Sequence, residues 1–97
     1  VEKYPRDPRA NMFRGFYFLQ KDNLADAEPY LREALRLGES NPVMTPFFAN
    51  WTRAMLALDL DLRGRRPEAL PFARPACGAL QSDDRWLQAL KERELCP

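Results

Sequence analysis

A shift of 42 residues lays this chain over itself, carrying Leu24-Ala-Asp-Ala-Glu-Pro-Tyr-Leu-Arg-Glu-Ala onto Arg66-Pro-Glu-Ala-Leu-Pro-Phe-Ala-Arg-Pro-Ala. Identical pairs are Ala27/Ala69, Pro29/Pro71, Arg32/Arg74 and Ala34/Ala76, and Asp26/Glu68, Tyr30/Phe72 and Phe18/Leu60 are conservative. A proline shared at one awkward helical position is harder to reach by chance than a shared alanine. Inside a helix, proline loses a hydrogen bond and clashes with the preceding turn, at a cost of ~3 kcal/mol. A duplication of this period restricts the chain to stacked copies of one supersecondary unit. Composition says which unit. Val and Thr occur twice each and Ile not at all, so the chain lacks the β-branched residues that suit a sheet. The expectation is all-α.

Helix punctuation divides the chain into five segments. Asp7-Pro8 offers an N-cap with proline at the first helical position, predicting a helix from Pro8 to Lys21. Asn23 can cap a second helix from Leu24 to Leu37, with Gly38 as its left-handed stop. A third opens at Asn41-Pro42 or at Thr45-Pro46 and reaches Arg63, where Gly64 ends it. The fourth starts at Pro67 and ends between Gly78 and Leu80. Ser82 then reads as the N-cap of a fifth helix from Asp83 to Glu94, with Asp83 and Asp84 at the positive end of its dipole. Pro29, Pro71 and Pro75 predict bends, or helices that begin later than drawn.

Each copy resembles the tetratricopeptide repeat, a helical hairpin with small residues at fixed places. Gly15 and Ala57 stand at its small position in the first helix, followed three residues later by the large apolar Phe18 and Leu60. Asp22-Asn23 and Gly64-Arg65 stand at its mid-repeat turn, and Ala27/Ala34 and Ala69/Ala76 supply its two alanines seven apart. The departures are Asn11 and Arg53 where the family often has Trp, Glu39 where it usually closes with Pro, and extra residues between Gly38 and Pro46. The resemblance spans residues 8 to 80. It implies an all-α, right-handed solenoid fragment of five helices in one domain: a hairpin over 8–38, a second over 42–80 and a capping helix over 83–94.

A shorter resemblance, carried by Tyr4-Pro-Arg-Asp-Pro-Arg-Ala, Leu24-Ala-Asp-Ala-Glu, Ala73-Arg-Pro-Ala-Cys77 and Leu95-Cys96, is to the tail of bacterial rhomboid-type membrane proteins. It implies a soluble appendage of a membrane protein, on its cytoplasmic or periplasmic side. The intramembrane serine and histidine of that family would lie outside this chain. The charged, proline-rich start VEKYPRDPR reads as mid-protein sequence, so an excised domain is expected. Its lack of a targeting segment therefore says little about the compartment.

Fifteen basic and fourteen acidic residues leave a net charge of +1, without the basic stripe that nucleic acid demands. Histidine is absent, which removes the commonest general base and metal ligand. With four glycines there is no phosphate-cradling loop. Asp59 and Asp61 lie two apart and so do not share a helix face. They read as solvated surface, as does the basic turn Arg63, Arg65, Arg66. No catalytic constellation, cofactor or metal is expected. Cys77 and Cys96 match no zinc spacing. They are either two reduced thiols or a disulfide tying the chain end to the last hairpin.

What the repeat family implies instead is binding on a concave face lined by the first helix of each hairpin. Here that face draws on Met12, Phe13, Phe16, Leu19 and Gln20, then on Trp51, Met55 and Leu58. The family's chaperone-binding members place Lys and Asn there to grip a terminal carboxylate. Met12, Phe16 and Met55 disfavour that ligand and point to an amphipathic helix or apolar peptide. Burial of the same residues as core is the competing reading. The segment Phe13 to Leu19 is apolar on nearly every side, so homodimerisation or docking to a parent segment is also expected.

Overall fold

The computed structural model describes residues 6–41 and 46–97, and there the chain is all-helical. Five helices follow one another: α1 (Pro8–Gln20), α2 (Leu24–Glu39), α3 (Pro46–Leu62), α4 (Arg66–Ala79) and α5 (Arg85–Glu92). Helix α1 packs on α2 and α3 on α4, so each half is an antiparallel hairpin; α2 meets α3 between the halves, and α5 lies against α3 and α4. Asp7 caps α1 as expected, its carboxylate accepting the Arg9 N–H at 2.9 Å. The third helix is described from Pro46 onward; Pro42 and Thr45, on which its two expected starts rest, lie outside the described residues.

The duplication is visible in how the helices stop. After α1 the Asn23 N–H reaches the Phe18 carbonyl at 2.9 Å, and after α3 the Arg65 N–H reaches the Leu60 carbonyl at 2.9 Å. Asp22 (φ 59°) and Gly64 (φ 75°) supply the left-handed residue each stop needs. Helix α5 ends the same way, with Leu95 N–H on the Leu90 carbonyl at 2.9 Å and Glu94 at φ 60°. In its ending α5 therefore matches α1 and α3.

The small residues of the repeat are where the helices touch. Ala27, Ala34, Ala57, Ala69 and Ala76 are fully buried. A Cβ on Gly15 would stand 2.5 Å from Leu31 Cδ2, so α1 and α2 approach as closely as only glycine permits. Gly38 corrects the sequence reading. It does not stop α2, which runs on to Glu39; it is buried against α3, where an added Cβ would meet Phe48 Cε1 at 2.8 Å. Close packing, not chain reversal, requires that glycine.

Two further boundaries differ from expectation. Helices α2 and α4 run unbroken through Pro29, Pro71 and Pro75. Pro71 and Pro75 lie on the exposed side of α4, where carbonyls left without a donor are open to water. Helix α5 starts at Arg85 rather than Asp83 and ends at Glu92, because Asp84, not Ser82, is the cap. Its Oδ1 accepts the N–H groups of Trp86 at 2.8 Å and Leu87 at 3.3 Å.

Cys77 and Cys96 form a disulfide, with Cα atoms 5.6 Å apart, which rules out the reduced-thiol reading for this structure. The bond fixes the segment after α5 to α4, and Leu95 beside it is buried in the core. Closing a loop of this size stabilises by about 3 kcal/mol in the chain-entropy model. Urea titration with and without reductant should show that loss, and Cys77→Ala with Cys96→Ala should reproduce it without reductant. Equal midpoints would mean that the bond adds nothing to the fold.

Candidate docking surface

The concave-face residues divide into two groups. Met12, Met55 and Leu58 are buried, with 8%, 4% and 7% of their surfaces exposed, and they belong to the core. They cannot line an open groove, which corrects their assignment as contact residues. Helix α5 packs on α3 and brings Trp86 edge-on to Phe16 of α1, ring centroids 5.6 Å apart. Phe16 and Leu19 are half-buried, whereas Gln20 is exposed, and Phe13 and Trp51 keep 62% and 37% of their surfaces in water.

What remains exposed runs as a strip across α1, α3 and α5. Phe13 neighbours Phe16 one turn along α1, and Phe16 meets Trp86. Two residues before Trp86, Asp84 Oδ2 accepts the Trp51 indole N–H at 2.7 Å. Trp51 in turn lies 6.1 Å from Phe47, one turn earlier on α3. One carboxylate therefore caps α5 with one oxygen and anchors the Trp51 ring with the other. At this end the strip opens into a cleft of about 400 Å3 lined by Phe47, Trp51, Gln81, Asp83 and Asp84. Sequence reasoning found Trp51 but not the cleft. Asp83 and Asp84 read only as a helix start, and their approach to α3 is a tertiary fact.

Asp59 and Asp61 are buried and Arg63, Arg65 and Arg66 are half-buried in ion pairs, whereas the sequence reading made all of them solvated surface. Asp59 is fully buried, its Oδ2 3.2 Å from Arg63 Nη1. Arg63 also donates to Glu28 of α2 at 2.6 Å, and Arg32 and Arg65 reach the same carboxylate at 2.7 and 2.8 Å. Asp61 points elsewhere, accepting from Arg93 at 2.5 Å and Arg66 at 3.3 Å, while Arg66 also holds the Arg93 and Glu94 carbonyls. One knot joins the two hairpins and the other ties α5 to α3. Burial tends to raise the Glu28 carboxyl, but hydrogen bonds from Arg32, Arg63 and Arg65 outweigh it and hold the group down at about 2. At Asp59 burial prevails over the attraction of Arg63 and pushes the carboxyl up to about 6. Its partner Arg63 belongs to the knot that joins the two hairpins.

Among the described residues, no cluster of three His, Cys, Asp or Glu side chains is placed to hold a metal ion. No described helix is long and apolar enough to cross a membrane. No family model matches the chain, and neither a curated protein nor a solved structure matches it significantly.

Proposed function

We propose that this chain is a non-catalytic interaction module, two tetratricopeptide-like hairpins and the first helix of a third, which docks a protein partner on the aromatic strip. The observation that carries the reading is the placement of the large apolar side chains. Phe13, Tyr17, Phe47 and Trp51 are exposed, two pairs each one turn apart on a helix. Exposed aromatic patches of this kind mark interaction surfaces, where buried Trp and Tyr carry a large share of binding energy.

Phe13→Ser and Trp51→Ser remove exposed surface, so helicity and the disulfide should survive. Retention of the partner from the cells that make the protein should fall at least about tenfold in each, the usual loss at an aromatic anchor. Unchanged retention in both variants would refute the reading. Light scattering on the pure chain separates the competing role, self-association as the tail of a larger protein. A dimer dissociated by Phe13→Glu would make the strip a self-interface.

A further inference from the structure

We propose that the Phe47–Trp51–Asp83 cleft receives an arginine side chain of the docked partner. The inference rests on the reading of the strip as a docking surface and adds the chemistry of one anchor. The wall of the cleft is made of two aromatic rings 6.1 Å apart, two carboxylates and the Gln81 amide. The Trp51 ring is held in place by its N–H bond to Asp84, so a ligand on its face need not order it. Asp84 is already committed to that bond and to the α5 cap. Asp83 is exposed, and its carboxylate is open to a newcomer.

The charge balance favours a cation. The start of α5 contributes about half a positive charge, against two full negative charges at Asp83 and Asp84, which leaves the cleft about −1.5. Some rings elsewhere in the chain already take a cation. Tyr17, Tyr30, Phe72 and Trp86 each carry a cation of this chain over the ring, Lys21, Arg14, Arg32 and Arg85 respectively, at 5.4 to 5.9 Å. Trp51 offers the strongest kind of face and, among the described residues, has no such cation over it. A guanidinium suits this wall better than an ammonium, because its plane stacks on the rings while its edge forks onto a carboxylate.

The test uses the intact oxidised chain and a small probe, N-acetyl-arginine amide, with N-acetyl-citrulline amide as its neutral isostere. The arginine probe should shift the Trp51 indole N–H resonance saturably, with a Kd on the order of 10 mM for one stacked cation and one exposed ion pair. Asp83→Asn should weaken it about threefold, and Asp83→Lys, which puts a cation of the chain in the cleft, should abolish it. Equal binding of citrulline, or shifts confined to the Trp86 indole, would overturn the proposal. If the probe fails while Phe13→Ser still loses the partner, the docking surface stands and the arginine anchor falls. If the probe binds while Phe13→Ser and Trp51→Ser keep the partner, the cleft takes guanidinium but the docking reading fails.

Discussion

Valine at position 15 is expected to cost about 3 kcal/mol or more of unfolding free energy, because the core has no room for it. A Cβ on Gly15 would lie 2.5 Å from Leu31 Cδ2 and 2.6 Å from its Cγ, and Leu31 is fully buried, so the clash cannot relax into solvent. Gly15→Ala should lose about 1–2 kcal/mol, although alanine is intrinsically the better helix former by about 1 kcal/mol. Leu31→Ala alone should cost about 3 kcal/mol through the cavity it leaves. Combined, the two should cost about 1–2 kcal/mol less than their sum, since the new methyl enters the vacated space. Gly78 is the control. It is also helical, but an added Cβ there meets nothing within 4 Å. Gly78→Ala should therefore stabilise by a few tenths of a kcal/mol, roughly the propensity gain near a helix end. Urea unfolding of the oxidised chain measures all of these. Additivity of Gly15→Ala and Leu31→Ala would mean that α1 and α2 do not meet there.

Acidification should stabilise the fold between neutral pH and about pH 4, and then destabilise it. The Asp59 carboxyl is raised from 3.8 to about 6 by burial, opposed by Arg63 and Arg65 and assisted by Glu28. A raised carboxyl contributes stability that is fully present below 3.8 and lost as pH rises through about 6. A shift of this size corresponds to about 3 kcal/mol. Glu28 acts in the opposite sense. Its carboxyl is lowered from 4.5 to about 2, so its contribution is present above 4.5 and lost as pH falls through about 2. Asp59→Asn mimics the protonated acid and leaves Arg63 its partner in Glu28. Relative to the unsubstituted chain, the variant should match at pH 4 and gain up to about 3 kcal/mol by pH 7. A difference that stays flat across that range would mean that Asp59 is not buried as described.

Much of the fold was legible because local chemistry decides it. Asp7-Pro8 starts α1, and Gly64 stops α3, whatever the rest of the chain does. The small positions Gly15, Ala27, Ala34, Ala57, Ala69 and Ala76 were legible as a repeating set, and the structure buries all of them. The errors lie where a distant residue decides. Glycine near a helix end reads as a stop, and only Phe48 on the facing helix makes Gly38 a packing residue. Arg63 and Arg65 read as a solvated turn until Glu28, more than thirty residues earlier, is placed beside them. Ser82 and Asp84 can both cap a helix, and the choice falls to Asp84, which also anchors Trp51 on α3. Spacing alone says nothing of pairing between Cys77 and Cys96; that depends on α5 returning the chain end to α4. The candidate site followed the same rule. Phe13 and Trp51 were named from the repeat pattern, and for Met12, Met55 and Leu58 the competing reading, burial as core, is the one that holds.

The proposal that a partner docks across α1, α3 and α5 is tested most directly by contact. Benzoylphenylalanine in place of Phe13 puts a photo-crosslinker on the strip, and the same group in place of Arg36 puts one on an exposed position of α2. Irradiated in the cells that make the protein, the chain labelled at position 13 should yield a discrete adduct that the chain labelled at position 36 does not. Trp51→Ser in the same chain should suppress it. Indistinguishable products from the two positions, or none from position 13, would contradict the account.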